Sequence, residues 1–311
     1  MRPKTFTLIC LLSMAASLLK AQHQTFSNYT AADGLSDNTV LCALHDSYGF
    51  MWLGTHNGLN RFDGKQNTIY RNMVEDDTRF ENNTITSLFE QGDDIWFGGS
   101  FGLYVYHRQT NTFSRFNKKT KYGVTISCSV NTIERGQNGL IWIATLGQGL
   151  FVYNPQTDEL TQDSRHGAFL SDIVAMDNGP VYIASLSGVI LVYGQDMSFL
   201  RQYAIPGYES DKNLISLTTL ADKLYIGSEQ GLYSLENGEL RMENERLGVR
   251  ALCGGADKLL IGTDKGLFTL TAKASSSTAV PLDPTYNLPK PEKALEGTSV
   301  KGILFDSDSG R

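Results

Sequence analysis

The sequence predicts an all-β protein, a β-propeller of four-stranded blades with six blades and the first strand of a seventh. Three observations carry this. A motif recurs six times at blade-sized spacing, and each copy divides into four short runs of strand-like pattern. After residue 21 no run of helical length has the 3.6-residue apolar period. The 30 Gly in 311 residues, without a collagen period, fit the many tight turns of such a chain.

Taken in order, the chain begins as an export signal over residues 1–21. Arg2 and Lys4 precede the apolar stretch Phe6–Leu19, which is too short to span a membrane but fits a secretory leader. Ala21 is a small residue at the cleavage point; the alternative reading is a buried or anchoring helix. Cleavage would change the net charge from −6 to −9, leaving 24 Lys+Arg against 33 Asp+Glu. That balance argues against a general nucleic-acid binder, which needs a basic stripe. It would also remove Cys10 and leave Cys42, Cys128 and Cys253. An odd count without CxxC spacing predicts neither a disulfide framework nor a zinc site, and each Cys reads as a small buried apolar residue. No later apolar stretch is long enough to span a membrane.

Residues 22–37 form a lead-in, in which Phe26–Tyr29 is expected to supply an outer strand that closes the ring. The propeller occupies 38–311. Its blades are expected at 38–72, 83–117, 126–162, 168–203, 213–244 and 248–283, with a partial seventh at 298–311.

A large anchor recurs at Trp52, Trp96, Trp142, Tyr182, Tyr225 and Leu260, on the second strand of each blade. It is expected to face the contact between neighbouring blades, where aromatic rings bury a large area. Two residues on stand Gly54, Gly98, Ala144, Ala184, Gly227 and Gly262. By strand alternation they share the anchor's face, and their small size leaves room for the next blade. A second glycine follows at Gly58, Gly102, Gly149, Gly188, Gly231 and Gly266, in the turn to the third strand, where a positive φ is expected. Asp63-Gly64 and Asn237-Gly238 mark further turns.

Beyond the sixth copy, the run Ala274–Pro291 holds half of the chain's Pro. At Thr298 the opening of another repeat appears, and its anchor would fall just past Arg311. The expectation is therefore an incomplete ring, with Thr298–Asp306 packed as one inner strand and the chain stopping at the turn into the next.

The repeat resembles the two-component regulator propeller repeat. The resemblance rests on Gly34-Leu35-Ser36, Asn38, Val40, Asp46, Gly49, Trp52, Gly54-Thr55, Gly58-Leu59, Arg61 and Asp63. It is strong in the first three copies and weaker in the later ones. It implies the periplasmic sensor region of a hybrid two-component system, with two seven-bladed propellers and an immunoglobulin-like domain. It further implies a transmembrane helix and a histidine kinase, often with receiver and DNA-binding domains, in sequence beyond this chain. The implied ligands are oligosaccharides released from complex glycans, which control the kinase and glycan-utilisation genes; the implied full-length protein is dimeric. The resemblance assigns no binding residue.

From the residues alone, His56, Asn57, Phe101, Gln148 and Glu229 follow the second strands and would line one rim, either as a ligand site or as ordinary solvent-exposed loop residues. The ligand-binding residues themselves stay unassigned. A secreted propeller enzyme, such as a glycoside hydrolase, sialidase or lyase, is an alternative. Asp46–Trp52 faintly resembles an Asp-box, but no motif singles out a facing carboxylate pair. His23, His45, His56, His107 and His166 form no HxH or HExxH pattern, and GxSxG is absent. His45 alternates with apolar neighbours and is expected partly buried. No catalytic residue, cofactor or metal site is assigned. A purely protein-interaction propeller is the third reading.

Overall fold

The computed structural model describes residues 29–71, 83–205, 214–245, 247–255 and 258–271. The leader, Phe26–Asn28, the Pro-rich run and the strand expected at Thr298–Asp306 lie outside the described residues. No helix among the described residues is long and apolar enough to cross a membrane.

The chain folds into six blades, as the repeat predicts. Blade 1 is β1 (Val40–His45), β2 (Met51–Thr55), β3 (Gly58–Phe62) and β4 (Asn67–Tyr70). Blade 2 is β5 (Ile85–Gln91), β6 (Asp94–Gly99), β7 (Gly102–His107) and β8 (Thr112–Arg115). Blade 3 is β9 (Ser129–Arg135), β10 (Ile141–Leu146), β11 (Leu150–Asn154) and β12 (Glu159–Asp163). Blade 4 is β13 (Leu170–Ala175), β14 (Val181–Ser185), β15 (Val189–Tyr193) and β16 (Phe199–Ala204). Blade 5 is β17 (Leu214–Leu220), β18 (Lys223–Ser228), β19 (Leu232–Glu236) and β20 (Glu239–Asn244). Blade 6 shows β21 (Val249–Gly254), β22 (Lys258–Thr263) and β23 (Gly266–Thr271) among the described residues.

Within each blade the strands pair antiparallel in chain order. The inner strands β1, β5, β9, β13, β17 and β21 pack on one another in the same order. Among the described residues, β21 and β1 share no comparable contact. The lead-in lies on blade 1, where the Tyr29 ring meets Phe62 at 5.3 Å and Asn67 Nδ2 donates to the Gly34 carbonyl.

The cores lie between blades, as expected of sheets that each bury both faces. Trp52 packs with Ile85, Ile95, Phe97 and Tyr106 of blade 2, and Trp96 with Ile133, Ile143 and Phe151 of blade 3. Trp142 and Tyr225 likewise meet Ile173 and Ile261 of the blades that follow. Tyr182 packs half-buried against the blade 4–5 core, and Leu260 is half-buried.

The small residue beside each anchor has the predicted reason. A Cβ on Gly54 would lie 2.7 Å from Ile85 Cγ2, and one on Gly227 2.4 Å from Val249 Cγ1, both on the next blade's inner strand. The turn glycines take positive φ at Gly58 (134°), Gly102 (143°), Gly149 (79°), Gly188 (78°) and Gly266 (127°). Gly231 departs from this expectation. Its glycine is required by space, because a Cβ there would stand 2.0 Å from the Asn244 carbonyl oxygen.

One regular feature has no signature in the sequence. Every inner strand carries a bulge at the same level, and the next residue sits opposite the small one: Cys42, Ser87, Thr132, Asp172, Ser216 and Ala251. Bulges re-aim side chains, and here they aim most of these residues at the next blade. Ser87 Oγ donates to the Val130 carbonyl at 2.9 Å, and Thr132 Oγ1 to Ser171 O at 3.2 Å. Asp172 Oδ2 accepts from Leu217 N at 2.7 Å, and Ser216 Oγ from Leu252 N at 3.1 Å. Cys42 Sγ stands 3.7 Å from the Ile85 carbonyl, and burial pushes its thiol pKa up to about 12. The cysteine that reads as an apolar filler thus occupies a latch position.

His45 corrects an expectation. It is the last residue of β1 and is exposed, not partly buried.

The Asn237-Gly238 turn has both residues at positive φ, 52° and 83°, as a two-residue hairpin requires. The β17–β18 turn places Ala221 at φ 54°, where the corresponding residue of blade 2 is Gly92 at 58°. An L-residue other than Gly or Asn is strained there. Ala221→Gly is therefore expected to stabilise the fold by roughly 0.5–1 kcal/mol, read from the urea midpoint. A lower midpoint would contradict the strain.

Candidate ligand-binding rim

Antiparallel meanders gather all turns between second and third strands at one end of the propeller, together with the connections between blades. Four of the six turns are fixed from within. Thr55, Thr145, Ser228 and Thr263 donate their hydroxyls to the carbonyls of Gly58, Gly149, Gly231 and Gly266. This explains the hydroxyl residue that follows the small one in most copies. In blade 1 the clamp extends to the lead-in: Ser36 Oγ lies 2.8 Å from Thr55 Oγ1 and accepts from Asn60 Nδ2 at 2.7 Å, all three buried.

The next repeat position holds the first side chain of each turn: His56, Ser100, Leu146, Leu186, Glu229 and Asp264. The rim so formed is two-sided. Across blades 2 to 4 it is apolar, with Phe101, Leu146 and Phe169 exposed at 42%, 39% and 55%. Leu146 bridges to Phe169, and Leu186 N donates to the Phe169 carbonyl. Across blades 5 and 6 it is charged. Arg250, a bulge residue, donates to Glu229 Oε1 at 2.6 Å and to both Asp264 oxygens at 2.8–3.1 Å. The Asp264 and Glu229 carboxylates hold its guanidinium above the ordinary arginine value.

The five loop residues expected at this rim are all there, with different duties. Phe101 presents its ring to solvent while its carbonyl is held by Arg115. His56 and Asn57 are exposed, and their backbone carbonyls anchor Thr84 and Arg71. Gln148 is structural: its amide clamps the blade 2–3 connection through Ser127 N at 2.8 Å and the Thr125 carbonyl at 3.0 Å. Glu229 joins the Arg250 pair. Sequence reading missed Leu146, Phe169, Arg250 and Asp264. Leu146 and Asp264 could be found from their repeat position; Phe169 and Arg250 depend on how the blades meet.

At the opposite end, the turn that resembles an Asp-box is a joint. Asp46 accepts from Tyr48 N, Phe50 N, Trp52 Nε1 and Arg108 Nη2 at 2.6–3.0 Å. Arg108 comes from blade 2, also binds Glu90 at 2.8 Å, and lies 4.3 Å under the Tyr48 ring. The Asp46 carboxylate is thus fully engaged in holding blade 1 to blade 2.

Residues 34–57 match the family described as two component regulator propeller. A 72-residue stretch is 44% identical to histidine kinase P4 of Formosa agariphila, covering 22% of this chain and 5% of that protein. The extracellular domain of one putative hybrid two component system of B. thetaiotaomicron matches with a TM-score of 0.70 at 20% identity, over 92% of this chain and 38% of that one. A second such domain from that organism matches with a TM-score of 0.67 at 18% identity, over 82% and 38% of the two chains. The chain thus spans well under half the length of these relatives, and the structural likenesses establish the fold. The chain is thus a β-propeller whose first blade, over residues 34–57, matches the two component regulator propeller family.

Proposed function

We propose that this propeller is the exported, periplasmic ligand-sensing part of a hybrid two-component system, that its ligand is an oligosaccharide from a complex glycan, and that ligand occupancy is relayed to a histidine kinase in the same protein. The relatives support the setting: two are extracellular domains of putative hybrid two component systems, and one is a histidine kinase. The observation that carries the ligand class is the two-sided rim. Exposed Phe101 and Phe169 offer flat apolar faces to sugar rings, while His56, Asn57 and the Arg250 cluster offer hydrogen-bonding groups to hydroxyls. In this reading the chain recognises and does not catalyse.

A calorimetric and thermal-shift screen against glycan oligosaccharides tests it. Phe101→Ala and Phe169→Ala are each expected to weaken the best ligand about tenfold, as loss of about 1.5 kcal/mol of ring burial would. Their melting temperatures should stay within about 2 °C of the parent, since exposed residues contribute little to stability. If no saccharide binds the complete sensor region, the ligand class is wrong. If one binds and both variants bind it equally well, the rim is wrong.

A further inference from the structure

Blade 2 holds a chain of three polar side chains that neither the rim nor the Asp46 joint uses. Asp94 opens β6, His107 ends β7 and Ser114 lies within β8. Asp94 stands directly opposite His107, and Ser114, opposite Val105, is the diagonal neighbour of His107. By strand alternation the three side chains share the face that carries Trp96 and meets blade 3. His107 Nδ1 lies 3.1 Å from Asp94 Oδ2, and His107 Nε2 lies 2.8 Å from Ser114 Oγ. The group stands toward the end of the propeller opposite the rim.

The partners fix the protons. A carboxylate only accepts, so the His107 Nδ1–H donates to Asp94. In the neutral ring Nε2 is then an acceptor, and the Ser114 hydroxyl donates to it. This is the order of a serine nucleophile, its base and the group that orients the base. The side chains of His107 and Asp94 are 37% and 33% exposed and Ser114 is half-buried, so the three are held together yet open to a small molecule.

The surroundings suit an acyl group. Phe116, two residues beyond Ser114, packs on Trp96 and Tyr153 and gives an apolar wall. β8 is the outer strand of its sheet. Phe116 N donates inward to the Leu103 carbonyl at 2.9 Å, so the N–H groups of alternate β8 residues turn outward. Backbone N–H groups of this kind stabilise a developing oxyanion. The scaffold itself does not call for the three residues. At the Asp94 position the other blades carry Phe50, Leu140, Pro180, Lys223 and Lys258, and none of them repeats the set among the described residues.

We propose that Asp94, His107 and Ser114 form a hydrolytic centre for short-chain carboxylic esters, an activity that goes beyond the sensing reading and does not rest on it. Ser114 Oγ attacks the ester carbonyl while its proton passes to His107 Nε2. His107 returns that proton to the departing alkoxide, which leaves as the alcohol. Water then attacks the Ser114 acyl ester, giving one proton to His107 and forming the carboxylic acid. His107 hands the proton back to the serine oxygen. Asp94 is the positioning residue, holding the tautomer that leaves Nε2 free to accept.

The test labels the full chain with a fluorophosphonate, maps the modified residue by mass spectrometry, and follows turnover of p-nitrophenyl acetate. The parent is expected to carry the phosphonyl group on Ser114 and to release many equivalents of p-nitrophenolate per chain. Ser114→Ala should lose both signals. His107→Gln is expected to slow both about a hundredfold. Asp94→Asn is expected to lower kcat about tenfold or more with KM unchanged, a split that a general loosening of the blade would not give. A parent chain that takes no label on Ser114 overturns the proposal, whether or not the variants fold. So does turnover that stops after one equivalent, or labelling that His107→Gln leaves unchanged. Saccharide binding enters neither readout, so failure here leaves the rim reading standing.

Discussion

Asp46→Ala is expected to destabilise the propeller by about 3–5 kcal/mol, the scale found when one partner of a buried charge network is removed. In a domain of this size that lowers the melting temperature by roughly 10 °C. The carboxylate lies at the centre of the blade 1–2 joint and accepts four hydrogen bonds, two of them closing its own turn. Without it the Trp52 indole N–H is left buried and unpaired. Arg108, whose side chain is 11% exposed, would keep only Glu90. Blade 3 supplies an internal comparison. Gly136 stands at the Asp46 position, Gly194-Gln195 at the place of Arg108, and the fully buried Trp142 has no partner for its Nε1. The fold tolerates an orphan indole where the cation is absent too. Asp46→Ala combined with Arg108→Gln should therefore recover part of the loss, by about 1–2 kcal/mol, through relief of the stranded guanidinium. Chemical denaturation of both variants measures this. A single-variant loss under 1 kcal/mol would show that the joint does not hold the blades.

Gly98→Ala is expected to cost about 2–4 kcal/mol, although it adds one methyl group to a strand. Its Cβ would stand 2.2 Å from Ser87 Oγ, 2.6 Å from the Val130 carbonyl oxygen and 2.8 Å from Val130 Cβ. Ser87 can be shortened, but Val130 belongs to the inner strand of blade 3, whose backbone is fixed by its own ladder. The added methyl must push blade 3 outward or break the Ser87 latch. Adding Ser87→Gly should restore less than half of the loss. Complete rescue would place the obstruction in the serine alone and not in the approach of two blades. Blades 3 and 4 carry Ala144 and Ala184 at this position, so close approach is set junction by junction.

The scaffold was legible in the sequence because each blade repeats the same packing problem. A bulky anchor, a small neighbour and a turn glycine recur at Trp52, Gly54 and Gly58 and at five further places, and each does what strand alternation and turn geometry require. The exceptions have local causes. Gly231 answers to a backbone carbonyl rather than to its own φ, and His45 is exposed at the end of β1. The candidate rim was legible in part. Its turns follow from the repeat register, but which side chains stay free does not. Gln148 is held by the blade 2–3 connection, whereas Phe169, outside the repeat motif, is exposed.

By itself, the sequence determined the all-β class, the blade count over the described chain and the family that its first blade matches. These depend on residues near one another along the chain, whose periodicity is written in order. Only the tertiary structure decided which residues join blade to blade. The latch bonds made by residues from Cys42 to Ser216 and the Asp46–Arg108 joint link residues about 40 to 60 positions apart. The physical reason is that a bulge shifts register without requiring a particular residue, and the partner of a side chain across a blade junction is fixed by how two sheets meet. Identical motifs therefore leave different groups buried, paired or exposed at each junction, and the candidate site arises from those differences.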